Sequence, residues 1–132
     1  MKLFFLISCL TSILALPVTA EELKIFELRS YVAHKGKMKA LHQRFNDHTL
    51  ALFEKHGMTN LIYWVPQENE ANLLIYLLGY PSREARADSW KAFGKDESWK
   101  AAYEASTKQG KLVESIDTCL LYTSDAADET GR

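Results

Sequence analysis

Residues 47–64 read DHTLALFEKHGMTNLIYW, the end of an amphipathic helix, a glycine stop and a strand. Traced backward, Met38, Leu41, Phe45, Thr49 and Leu52 fall on one stripe at helical spacing, which predicts a helix over roughly Lys37–His56. Gly57 stands where a left-handed C-cap closes the last turn, and Lys55 and His56 bring positive charge to the helix's negative end. Traced forward, Met58–Val65 predicts a strand closed by Pro66. Tyr63 and Trp64 are adjacent in it, so they point to opposite faces.

Upstream, Glu22–Ala33 alternates. Ile25, Glu27, Arg29 and Tyr31 share a mixed face; Phe26, Leu28, Ser30 and Val32 share the other, so this is a strand. His34–Lys37 is a turn. Downstream, Gln67–Asn72 is a polar turn and Leu73–Tyr80 is nearly all apolar, predicting a central strand buried on both faces, with Gly79 marking a bulge or a close backbone approach. Ser82 is placed to cap a helix whose inner face carries Trp90 and Phe93. Gly94 interrupts it, and Asp96 caps a continuation with Trp99, Ala102 and Tyr103 inward. Gly110 stops that segment, and a last strand begins within Lys111–Thr118.

The order β-α-β-β-α-β predicts an α+β, ferredoxin-like fold: a four-stranded antiparallel sheet with both helices on one face. The other sheet face then lacks cover. A homodimer pressed sheet to sheet supplies it, as a dimeric α+β barrel, with the mixed face of the first strand pointing between the two sheets.

The two ends read differently from this domain, assigned to residues 21–118. Lys2, the apolar run Leu3–Leu16 and the small residues to Ala20 form a secretory signal over residues 1–20, predicting a secreted or periplasmic protein with no membrane association after cleavage. The run is short for a membrane span. CLLYTSDAADE, Cys119–Glu129, back-translates codon by codon into a sequencing-library transposase adapter, so residues 119–132 read as an artefactual tail on a metagenomic sequence.

Removing Lys2 and Arg132 from the 16 basic residues, and Asp125, Asp128 and Glu129 from the 17 acidic ones, leaves 14 of each. A balanced charge gives no electrostatic case for nucleic acid or an anionic membrane. Both cysteines, Cys9 and Cys119, also fall outside the domain. An exported chain without disulfides then depends on its core or on a partner.

No nucleophile motif, phosphate loop or dinucleotide pattern is present. The histidines at 34, 42, 48 and 56 are spaced by eight, six and eight, so none pairs at i,i+3 or i,i+4 and no metal site is expected. His48, at the edge of the apolar stripe between Phe45 and Leu52, is the candidate proton relay or axial ligand, against the plainer role of a half-buried histidine on a backbone carbonyl. Glu27 and Arg29 share a strand face, either as an internal ion pair or as an arginine held ready for an anionic ligand. Tyr31, Trp64 and Tyr76 are candidate walls of an apolar pocket, against ordinary core aromatics.

FELRSY (Phe26–Tyr31), the block Asp47–Trp64, SREARADSWKAF (Ser82–Phe93) and DESWKAA (Asp96–Ala102) together resemble the NIPSNAP family over Ile25–Thr118. The family is similar in fold to the dimeric α+β barrel proteins, in agreement with the element order. The resemblance implies a fold more than a reaction, since the wider superfamily holds cofactor-free monooxygenases, haem-dependent enzymes and small isomerases. Haem enters by that analogy only, and no cofactor is predicted. The secretory signal departs from the mitochondrial and vesicle-traffic links of the animal members. The apolar pair and Pro-Thr-Asp type close expected after Thr118 are replaced here by the adapter-like segment. Three expectations follow: a homodimer binding a small apolar or aromatic ligand between sheet and helices; a monooxygenase- or isomerase-type enzyme with His48 or Arg29 as acid/base or anion-holding group; and a protein-interaction module presenting Leu50.

Overall fold

The computed structural model describes residues 22–124. The elements are β1 (Ile25–Ala33), α1 (Met38–Arg44), a π-helical turn (Phe45–Thr49), α2 (Leu50–Lys55), β2 (Thr59–Trp64), β3 (Leu73–Tyr80), α3 (Arg83–Lys95), α4 (Glu97–Thr107) and β4 (Val113–Leu121). The sheet order is β2-β3-β1-β4, every pair antiparallel, with the helices on one face. This is the ferredoxin-like arrangement. The segment expected to be a secretory signal and most of the expected artefactual tail lie outside the described residues; Cys119, Leu120 and Leu121 continue β4 beside β1.

Local chemistry sets the boundaries. Gly57 takes a left-handed φ of 78° after α2. Ser82 Oγ accepts from the Ala85 amide at 3.0 Å and starts α3. Asp96 Oδ1 accepts from the Ser98 and Trp99 amides and starts α4. Gly94 stays inside α3, and the break falls at Asp96, whose extended backbone turns the chain. The long helix predicted over Lys37–His56 is not continuous. Between α1 and α2 the ladder widens: the Leu50 amide bonds the Phe45 carbonyl, five residues back. Thr49 Oγ1 also donates to the Arg44 carbonyl at 3.2 Å, five residues back.

The core lies between helices and sheet. Leu41, Phe45 and Phe53 pack onto Tyr76, Leu78 and Tyr80 of β3, with Phe93 joining from α3. Tyr63 of β2 stacks on Tyr76 at 5.1 Å. Leu50 is half-buried and packs against this core.

Two expectations about faces are corrected. The mixed face of β1 does not point between two sheets: Ile25, Glu27, Tyr31 and Ala33 are buried beneath the helices. The reason is that α3 supplies partners for the polar groups, so the face can be covered by its own chain. β3 is fully buried chiefly on that face: Leu73, Ile75 and Leu77 on the other face are half-buried, and only Gly79 there is buried, in close approach to Leu23 and Leu61 among the described residues.

Candidate functional site

Glu27 is the centre of the buried polar network. Its side chain is 0% exposed, and every donor around it is held by a rigid element. Oε1 accepts from Arg29 Nη1 at 2.6 Å and Arg86 Nη2 at 3.0 Å. Oε2 accepts from Arg86 Nε at 2.7 Å, Tyr80 Oη at 2.8 Å and Trp90 Nε1 at 2.9 Å. Burial alone would push this carboxyl up, but the bonds from Arg86, Trp90, Arg29 and Tyr80 outweigh it and hold the pKa at about 2. Arg29 is a neighbour on β1; Tyr80, Arg86 and Trp90 come from β3 and α3, more than fifty residues along the chain.

Arg29 extends the network into a cavity. Nε donates to Tyr76 Oη at 3.0 Å and Nη2 to Tyr31 Oη at 3.4 Å. Its guanidinium lies 4.4 Å from the Trp90 ring centroid. Burial opposes its charge, and the neighbouring Tyr31, Tyr76 and Glu27 restore it, so the pKa is raised. Burial also lifts the Tyr76 hydroxyl well above the ordinary tyrosine range, which keeps it a donor and acceptor rather than a base.

The cavity, about 290 Å³, lies between the sheet and the helices. Arg29 and Arg44 meet it with polar groups; Phe45, Phe53, Phe93 and Trp99 supply apolar wall. β4 is less covered: Ile116, on the helix side of the sheet opposite Tyr31, is 46% exposed. An outer groove of about 390 Å³ lies there, and Tyr31, Arg44 and Trp99 border both spaces.

The structure therefore brings Glu27, Arg29, Tyr31 and Tyr76 together and leaves two candidates apart. His48 is exposed, in a shallow groove beside Ala102, Ala105 and Ser106 of α4. The π-helical turn buries Phe45 and Thr49 and leaves His48 on the outer surface, away from the cavity. Trp64 pairs with Ile75 on the helix-free face of the sheet and is 43% exposed; it lies outside this cavity and instead borders a separate hollow with Phe45, Leu50 and Tyr63. No imidazole or thiolate meets the cavity among the described residues, so its donor set does not fit a haem, whose iron takes such a ligand most often. Among the described residues no group of three or more His, Cys, Asp or Glu side chains is placed to hold a metal ion.

Sequence reasoning missed Arg44, Tyr80 and Arg86. Arg86 had a signal: with Trp90 and Phe93 it forms an i, i+4, i+7 stripe, which sets it on the inner face of α3. Arg44, one residue before Phe45, had none, because its burial depends on α4 packing across α1.

A NIPSNAP family model matches residues 26–127. Among solved structures, a NIPSNAP family protein from Agrobacterium tumefaciens is 24% identical, with TM-score 0.67, covering 76% of this chain and 93% of that one. An uncharacterised NIPSNAP domain protein from Burkholderia xenovorans is 17% identical, with TM-score 0.66, covering 76% and 95%. A putative antibiotic biosynthesis monooxygenase from Nitrosomonas europaea shares the fold at TM-score 0.53 and 8% identity, covering 75% and 97%. No curated protein matches the sequence.

Proposed function

The chain belongs to the NIPSNAP family, and on that premise we propose that it is a homodimeric binding domain holding a small apolar or aromatic ligand between its sheet and its helices. The supporting observation is the aromatic-walled cavity of about 290 Å³ that reaches Arg29. A well-formed apolar hollow with a few convergent polar groups is the usual form of a small-molecule site. The dimer is supported by the open sheet face. Phe26, Leu28, Val32, Ile62, Trp64 and Ile75 lie on it, and a second copy of the same face is the complement that a twofold axis supplies. The apolar run Leu3–Leu16 and the small residues to Ala20 support export to the periplasm or beyond.

The enzyme alternative, of monooxygenase or isomerase type, has Arg29 in its favour as an anion-holding group. The geometry favours holding over proton transfer. His48 stands outside the cavity, and burial keeps the Tyr76 hydroxyl protonated at neutral pH.

Tryptophan fluorescence of the full chain tests both halves. Trp90 and Trp99 line the cavity, whereas Trp64 lies on the open sheet face. Ligand entry is expected to quench Trp90 and Trp99 in a Trp64→Phe variant as in the wild type. Dimerisation is expected to shift Trp64 emission to the blue with rising concentration. A monomer at all concentrations refutes the dimer; no response to any member of an aromatic fragment set refutes the cavity.

A further inference from the structure

We propose that the cavity takes a small apolar acid, its aromatic or alkyl body among Phe45, Phe53 and Phe93 and its carboxylate against Arg44. The inference rests on the ligand-binding role proposed above and names the ligand's chemical class.

The two arginines at the cavity are in opposite states. Arg29 has an ion pair with Glu27 and further bonds to Tyr76, Tyr31 and Thr118, which commit four of its five donors. Arg44 is only 5% exposed, and among the described residues it has no ion pair. Its Nη1 makes one long bond to Ser106 Oγ at 3.3 Å, and its buried Nε has no partner. Burial lowers its pKa from the usual guanidinium value, yet an arginine stays charged in such a place. The Trp99 and Tyr103 rings, at 5.3 Å and 5.4 Å from the guanidinium carbon, hold the planar group in place without using its donors. The result is a fixed fork with donor capacity to spare.

Charge balance points the same way. Two guanidiniums, Arg29 and Arg44, line the cavity, and Glu27 is the one buried carboxylate beside them, already shared by Arg29 and the half-open Arg86. The charge on Arg44 is left without a counter-charge. A buried cation without a counter-charge is unfavourable until an anion joins it, and a carboxylate matches the guanidinium fork in shape. Position completes the case. Arg44 borders both the cavity and the outer groove over β4, so a ligand entering there would leave its head group at Arg44 and carry its apolar body inward. Glu114 lines only the outer groove and is exposed.

The test compares benzoate with its neutral isostere benzamide on the full chain by calorimetry, in wild type, Arg44→Met and Arg44→Lys. Benzoate is expected to bind at least about tenfold more tightly than benzamide. That preference should vanish in Arg44→Met and weaken in Arg44→Lys, while the unliganded Arg44→Met protein melts no lower than wild type because an unpaired charge has gone. Equal binding of the two probes overturns the acid class and leaves the cavity as a neutral-ligand site. Absence of binding by either probe at millimolar concentration overturns both. A preference that survives in Arg44→Met moves the anchor elsewhere and overturns the assignment. Should Arg44→Met fail to fold, the wild-type ratio and its change in Arg44→Lys decide.

Discussion

Glu27→Gln is the perturbation that tests the buried network most directly. The carboxylate receives Arg29, Tyr80, Arg86 and Trp90 together. Glutamine keeps the shape but offers one acceptor oxygen, and its amide presents hydrogens to neighbours that are themselves donors. Arg29 would lose its counter-charge in the interior. Removing one member of a buried ion pair costs about 3–5 kcal/mol, against a total stability of roughly 5–15 kcal/mol for a domain. A loss of about 3 kcal/mol lowers Tm by roughly 12–24 °C in a domain of this size.

The same residue governs acid behaviour. Its folded pKa of about 2 lies below the ordinary 4.5, so its stabilisation is complete above pH 4.5 and is lost as pH falls toward 2. At ~1.36 kcal/mol per pH unit the full shift is about 3 kcal/mol; water reaching the half-open Arg86 side discounts it to about 1–2 kcal/mol. Urea titrations at pH 7, 5 and 3 measure both effects. Glu27→Gln should unfold at lower urea at pH 7 and show a flatter acid limb. A midpoint shift worth under about 1 kcal/mol, with the acid limb unchanged, would refute the view that this network is a structural charge centre.

Other substitutions separate neighbouring contributions. Asp96 is held below the usual carboxylate range by bonds from Lys55 and then His56, so its stabilisation also fades as pH falls through and below that range. Asp96→Asn keeps a good helix cap and should remove the part of the acid limb that remains in Glu27→Gln, read in the same urea series. Gly57→Ala should cost about 1 kcal/mol in a urea titration. Space is not the cause, since the nearest atom to an added Cβ is Ser89 Oγ at 3.5 Å; the left-handed φ of 78° is. His48→Ala should leave stability within about 0.5 kcal/mol and benzoate affinity unchanged, as expected of an exposed side chain outside the cavity; a clear loss of binding by calorimetry would return His48 to the site.

The order of elements was legible because each boundary carries its own local chemistry. Gly57, Ser82 and Asp96 act within a turn of their own positions, and the alternation of Ile25–Ala33 needs no distant partner. The face assignments were not legible for the opposite reason. Glu27 and Arg29 look too polar to cover until Arg86 and Trp90 arrive from α3, and those contacts span about sixty residues of chain. The π-helical turn was hidden because the stripe of Phe45, Thr49 and Leu52 steps by four and three, which an unbroken helix also satisfies. Arg44 stayed invisible until α4 closed over it. The pattern of apolar residues thus located the core, while the polar groups inside it depended on tertiary pairing.

The wide turn at Phe45–Thr49 also acts as a gearing between two half-helices. A π-turn accommodates one residue more than the α-helix would, and each α-helical residue turns the helix by ~100°. α1 meets α4 through Arg44 and Ser106, while α2 meets α3 through Phe53 and Trp90 and bonds β2 through Asn60 and the Leu50 carbonyl. Excising a single exposed residue such as Asn46 would leave both sets of neighbours unchanged in sequence, yet would turn one half-helix against the other. Either Phe53 would leave the core or Arg44 would leave the cavity rim. The family's length variation should therefore avoid this turn and collect in the loops, as though one surplus residue kept the two halves of the domain in phase.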